Sequence, residues 1–221
     1  MTDRVIVELS NIDLSYRRGG EIFRNLSLTV RSGKTAIIKG GPGSGKTSLA
    51  ELIVGRKFVD GGAVEIFDEV LRPGRKRALN RVRRHIGGVG GIFGLVPSYT
   101  VAENICFPLV LAGMGKRYQK EHLLRMLTEF SLLKKASDYP ATLTRIEHTL
   151  VQLARASIAD QPLLLIDEPM AGLDHSTAAR VFEYLMKASL SGRAMVLLMS
   201  EYPPGTLPNS TSYVISEGAL S

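Results

Sequence analysis

The sequence has a single cysteine in 221 residues, Cys106. That scarcity excludes an internal disulfide and any cysteine-rich zinc site, and it fits a reducing compartment. No apolar run approaches the roughly 18 residues that a membrane span needs, and residues 1 to 10 lack the apolar stretch of a signal peptide. The expectation is a chain that is soluble by itself and not secreted. His85, His122, His148 and His175 have no spacing that suits a metal and read as surface or cap residues. Repeats, low-complexity tracts and evident linkers are absent. Acidic residues are missing over one long stretch: none lies between Glu69 and Glu103, where Arg72, Arg75, Lys76, Arg77, Arg81, Arg83 and Arg84 fall. Much of the formal net charge of +7 is therefore local. This segment reads either as a solvated helix face or as a contact for lipid headgroups or acidic protein. No aromatic residues interleave with it to stack on bases, so nucleic acid is not expected as a partner.

What is present is a phosphate-binding pattern. Gly40-Gly41-Pro42-Gly43-Ser44-Gly45-Lys46-Thr47 fits G-x-x-x-x-G-K-[ST] and directly follows the apolar run Ala36-Ile37-Ile38. A strand that enters a Gly-rich turn and then a helix, here predicted over 47–54, points backbone N–H groups and a positive helix end at one spot. Lys46 would reach the β/γ-phosphates, Thr47 would hold Mg²⁺ through its hydroxyl, and Ser48 follows on the same turn. The competing reading is a flexible Gly-rich turn.

Short β-rich segments come first: 5–9, 26–30, 36–39 and 64–67. After Gly94 the pattern turns helical, with Leu123, Leu127 and Phe130 at spacings of four and three and Lys134-Lys135 as a basic helix end. The buried strand Leu163-Leu164-Leu165-Ile166, a helix with Val181, Phe182, Leu185 and Met186 on one face, and a strand at 195–199 restore a β/α alternation. The expected fold is α/β with a helical insertion at about 95–160. The buried strand ends in Asp167-Glu168-Pro169, carboxylates at the edge where α/β sheets bind ligands, beside the phosphate loop if the strands neighbour each other. Asp167 can orient Mg²⁺ through water and Glu168 can polarise the attacking water. The alternative is a helix N-cap.

These motifs, the turn Ala171-Gly172-Leu173-Asp174 and Tyr16 upstream together resemble the nucleotide-binding subunit of ABC transporters over nearly the whole chain. The length and Phe107-Pro108-Leu109 are most similar to the small stand-alone ATPases of the lipoprotein-release, cell-division and lipid-trafficking branches. The resemblance implies a P-loop NTPase of the ABC-ATPase type in one domain, 1–221. Its RecA-like core and N-terminal antiparallel β subdomain would take about 1–94 and 161–221, and a helical subdomain about 95–160. It implies ATP and Mg²⁺ as cofactors, with Lys46 and Glu168 catalytic. Gly40 to Ser48 would bind nucleotide, Thr47 and Asp167 would hold the metal, and Tyr16 would stack on adenine. Taken alone, Tyr16 is equally an ordinary surface aromatic. The resemblance further implies an integral membrane partner facing residues 97–109, a homodimer or heterodimer signalling through Asp174, and a peripheral place on the cytoplasmic face of the inner (plasma) membrane.

Three family positions are altered. The signature Leu-Ser-Gly-Gly-Gln is replaced by Leu143-Thr144-Arg145-Ile146-Glu147, placed by Leu153-Ala154-Arg155-Ala156 downstream. Arg145 and Ile146 put side chains where glycines let backbone approach phosphate, and Glu147 adds a carboxylate beside an anion. Thr144-x-x-Glu147 is also a capping box, which starts a helix without a ligand. The glutamine that links Mg²⁺ and water to the membrane subunit aligns with Gly91, and the histidine that contacts the γ-phosphate aligns with Glu201. Three functions remain open on these residues: a slow or partner-dependent transporter ATPase, a non-hydrolysing ATP-binding regulator or scaffold, and a different P-loop class such as a small-molecule kinase.

Overall fold

The computed structural model describes residues 4–16 and 20–221. Two sheets form the frame. The first is antiparallel and contains β1 (Val5–Ser15), β2 (Glu21–Arg31), β4 (Gly61–Ile66) and β5 (Glu69–Val70) in the order β2-β1-β4-β5. Ile12 and Leu14 of β1 point inward while Asn11, Asp13 and Ser15 face water, the alternation of a half-buried strand. The strand expected over 64–67 stops one residue earlier. Phe67 and Asp68 both have positive φ, 54° and 64°, and make the tight connection to β5. Such primed turns match the twist of antiparallel strands.

The second sheet orders β3 (Thr35–Lys39), β6 (Ile86–Val89), β7 (Leu163–Asp167), β8 (Ala194–Met199), β9 (Ser210–Ser216) and β10 (Ala219–Leu220) as β10-β9-β3-β8-β7-β6. Pairs from β9 through β6 are parallel, and β10 closes the edge antiparallel to β9. Every residue of β7 and β8 is buried, as expected of parallel strands covered on both faces. The condition that the strands of the two motifs be neighbours fails: β8 lies between β3 and β7.

Helices cover both faces. Leu163, Leu165, Val196 and Leu198 pack toward the antiparallel sheet with Leu49, Leu52 and Ile53 of α1 (Lys46–Ile53). Leu164, Ile166, Met195 and Leu197 point the other way. They pack with buried residues of α3 (Val101–Leu111), α4 (Lys116–Glu129), α5 (Arg145–Ser157) and α6 (His175–Leu190). α2 (Lys76–Arg84) buries only Leu79 and Val82.

Helix ends follow local chemistry. Thr100 with Glu103 and Thr144 with Glu147 form complete capping boxes at α3 and α5. Asp174, not Asp167 or Glu168, caps α6 through the N–H groups of Ser176 and Thr177. The Ser176 and Thr177 hydroxyls, with these N–H groups, hold its carboxyl well below the usual range. The basic end expected at Lys134-Lys135 is displaced. α4 ends at Glu129, where Ser131 turns left-handed at φ 58° and its N–H and that of Leu132 donate to Thr128 and Leu127. This is a Schellman stop, and the two lysines lie in a separate 3-10 turn.

Candidate functional site

The C-terminal ends of β3, β8, β7 and β6 line up at one sheet edge, and the loops that leave them meet there. The loop after β3 is held down from below. Gly45, at φ 101°, has no room for a Cβ, which would lie 2.7 Å from the Phe23 ring of β2. Glycine therefore serves both the left-handed turn and the close approach. α1 starts at Lys46 directly after the Gly-rich turn, with no side chain capping the N–H groups of its first turn. The hydroxyl of Ser44 is buried and has no hydrogen-bond partner among the described residues. A spare donor inside a Gly-rich loop is what an incoming phosphate oxygen would satisfy.

Lys46 is 8 % exposed. Its ammonium donates to the carbonyls of Gly40 and Gly41 and lies 3.4 Å from Glu168 Oε1. The two motifs thus meet although their strands do not. Glu168 itself sits at φ 50°, just past β7, with its N–H donating to Leu198 O of β8 at 2.9 Å. Ser200, one residue past β8, donates its hydroxyl to the same Oε1. Asp167 is buried at the end of β7, and burial, with Glu168 adding and Lys46 opposing, pushes its carboxyl upward.

Other residues expected at a site are placed as follows. Thr47 is exposed on the first turn of α1, and Gly41, Pro42 and Gly43 are exposed in the loop. Ser48 is buried and accepts a hydrogen bond from Lys57, which also pairs with Glu51 at 3.0 Å. Tyr16 is 55 % exposed, with the Lys57 ammonium 5.9 Å from its ring centre.

A second group surrounds the loop after β6. At Gly90, with φ 116°, a Cβ would lie 2.7 Å from Asp167 O, whereas at Gly91 it would meet nothing within 4 Å. The loop is clamped by α5: Gln152 accepts from Gly90 N–H and donates to the carbonyls of Gly90 and Phe93, and Arg155 donates to Phe93 and Gly94. Burial pulls the Arg155 guanidinium down to about 10, still cationic at neutral pH. Sequence reasoning missed Gln152, Arg155 and Ser200. A signal for Gln152 was there, because it is the polar residue in the apolar run Leu150-Val151-Gln152-Leu153-Ala154, all of it buried.

At the α5 start the capping-box reading of Thr144 and Glu147 holds. Glu147 does not offer a free carboxylate: it accepts from Thr144 N–H and hydroxyl and lies 3.3 Å from Lys135. The Thr144 backbone bond chiefly holds it below the usual range. Arg145 is exposed and reaches over the turn before α6, its guanidinium 2.9 Å from where a Gly172 Cβ would stand. Glu201 is exposed, and Lys39 lies over the ring of Tyr202 at 4.4 Å. His85, His122, His148 and His175 form no metal-binding cluster among the described residues. Burial lowers His148.

Comparison with known proteins identifies the family. The family model described as ABC transporter matches residues 23–171. The chain is 29% identical over 204 residues to the lipoprotein-releasing system ATP-binding protein LolD of Pseudomonas syringae, covering 90% of each. It is 30% identical over 198 residues to the probable ABC transporter ATP-binding protein PEB1C of Campylobacter jejuni, covering 89% of this chain and 81% of that one. In structure it superposes on the dimeric, ADP- and Pi-bound post-hydrolysis state of the ATP-binding cassette MJ0796. The TM-score is 0.87 at 24% identity, over 97% and 96% of the two chains. The chain belongs to the ABC transporter family, as an ATP-binding subunit of the P-loop ATPase type.

Proposed function

We propose that the chain binds Mg-ATP through Gly40 to Ser48 and hydrolyses it slowly, on behalf of a membrane partner. The observation that carries this reading is the meeting of Lys46 and Glu168 at 3.4 Å on the edge where the phosphate loop opens. A γ-phosphate entering the loop replaces Glu168 as the counter-ion of Lys46. The freed carboxylate then accepts a hydrogen bond from water and polarises it toward the phosphorus. Phosphate charge is met by Lys46, by loop N–H groups and by the Ser44 hydroxyl. The donor set suits Mg²⁺: Thr47 offers an exposed hydroxyl and Asp167 a carboxylate, hard oxygens to which phosphate and water add the rest. When bound, Mg²⁺ supplies charge neutralisation at the β/γ-phosphates. Tyr16 is exposed just past the end of β1, where it would stack on adenine.

Slow turnover follows from what the site lacks. Gly91 has no side chain to reach water, and Glu201 presents a carboxylate where the family presents a histidine. The isolated chain is expected to turn over below about 1 s⁻¹, the low end of ordinary enzymes, and Glu168→Gln should abolish what remains. Tens of turnovers per second, or a fully active Glu168→Gln variant, would overturn the reading. Binding of Mg-ATP without turnover above background would assign the non-hydrolysing regulator instead. Because Gly91 faces open space, Gly91→Gln is sterically free, and Gly91→Gln with Glu201→His is expected to raise turnover.

No helix among the described residues is long and apolar enough to cross a membrane. Contact with the membrane subunit is therefore a surface matter. A groove of 590 Å³ is lined by Arg56, Arg83 and Arg84 together with Phe93, Phe107 and Leu111. It takes in part of the segment 97–109 that the family turns toward its membrane partner. All three arginines are exposed, and Arg83 is anchored to the carbonyls of Val54 and Gly55. Arg56→Glu with Arg84→Glu is expected to lower co-purification with the membrane subunit from detergent extracts and leave ATP affinity unchanged. Equal recovery of the partner would exclude this face.

A further inference from the structure

Glu168 divides its two oxygens. Oε1 takes the Ser200 hydroxyl and faces Lys46 at 3.4 Å, whereas no hydrogen bond reaches Oε2 from the described residues. The carboxylate hangs from a left-handed residue whose N–H is tied to Leu198 of β8, two residues before Ser200. One strand end therefore fixes both the backbone and the carboxylate of Glu168. The carboxylate of Glu201, exposed beside Ser200, offers no donor to either.

We infer that Ser200 is the positioning residue for the water-polarising carboxylate. Its hydroxyl anchors Glu168 Oε1 at the β8 edge so that Oε2 is presented to water. This rests on the assignment of Glu168 as that group. Without the anchor, Lys46 alone among the described residues holds the carboxylate. When ATP claims Lys46, the side chain is released into its several rotamers, and fewer of them address the phosphorus. Ser200 acts through Glu168, so it governs the chemical step and not the binding of ATP.

Single-turnover hydrolysis by the purified full-length chain, with Mg-ATP affinity from calorimetry, tests this on Ser200→Ala, Ser200→Thr and Glu168→Gln. Ser200→Ala is expected to lower the rate about tenfold, on the scale of one hydrogen bond to a charged group, with ATP affinity within about twofold of the parent. Ser200→Thr, which keeps the hydroxyl, should restore most of the rate. The Glu168 carboxylate stretch in infrared spectra, identified by its loss in Glu168→Gln, should move in Ser200→Ala and not in Ser200→Thr, whatever the turnover. An unmoved band in Ser200→Ala, or equal losses in the Ala and Thr variants with a lowered Tm, would overturn the proposal. Full hydrolysis by Glu168→Gln would remove the underlying assignment instead, while a dead Glu168→Gln beside a fully active Ser200→Ala would reject the positioning role alone.

Discussion

Replacement of Lys46 by alanine is expected to weaken Mg-ATP binding by about 2 to 4 kcal/mol, roughly thirty- to a thousand-fold. The size of the effect comes from where the ammonium sits. It is 8 % exposed, between two loop carbonyls and the Glu168 carboxylate, so its removal leaves three oxygen acceptors facing one another without a cation. A triphosphate arriving there meets the negative charge of Glu168 without the ammonium between them, and the loop N–H groups, the Ser44 hydroxyl and Mg²⁺ are left to hold the phosphates. Calorimetry on the variant and the parent measures the change, and a thermal melt shows whether the fold survives. Equal affinity in the two proteins would mean that phosphate does not bind at this loop.

The second large effect concerns assembly. The family sandwiches ATP between one subunit's phosphate loop and the signature segment of another. In this chain that segment is built for a different purpose. Thr144 and Glu147 close a capping box, Lys135 pairs with Glu147, and Arg145 lies over Gly172. Thr144, Glu147 and Lys135 satisfy one another and leave little for a second copy's nucleotide. A Glu168→Gln chain is therefore expected to dimerise poorly with ATP at micromolar concentration. Changing Arg145 and Ile146 to Gly and Glu147 to Gln should strengthen the ATP-bound dimer, because backbone N–H groups at the helix start can then approach phosphate. The glycines oppose this by up to about 1 kcal/mol each in helix propensity, but Gln at the third helical position keeps the capping box. Loss of the exposed Lys135 pair costs little. Light scattering with and without ATP reports the outcome. A Glu168→Gln chain already fully dimeric with ATP and monomeric without it would show that the altered signature still clamps phosphate. An intact signature on a different subunit would instead clamp the ATP held by this chain's Lys46, leaving two unequal sites.

Two groups set opposite acid dependences. The native carboxyl of Asp174 lies below its unfolded value, so its capping of α6 is present above the unfolded pKa and fades as pH falls through the folded one. Asp167 is shifted upward by burial, so its ionisation opposes folding, an opposition relieved as pH falls through its raised pKa.

Local sequence determined much of this protein. A Gly-rich turn between a continuous apolar strand and a helix start has few alternative conformations, and an all-apolar strand such as Leu163 to Ile166 must be buried on both faces. The family and the α/β fold were readable for that reason. The Thr144-x-x-Glu147 box was readable because its bonds span three residues. Strand order was not. It depends on packing between segments far apart in the chain, and it put β8 between the two motif strands, so that β8 could supply Ser200 to Glu168. The end of α4 was misread because a left-handed Ser131 leaves no compositional mark as a glycine would. Long-range pairing also decided that Gln152 and Arg155 of α5 grip the loop at Gly90 to Gly94, and that Glu147 turns to Lys135. Each of these contacts joins side chains to partners that only the closed tertiary fold brings within hydrogen-bond reach.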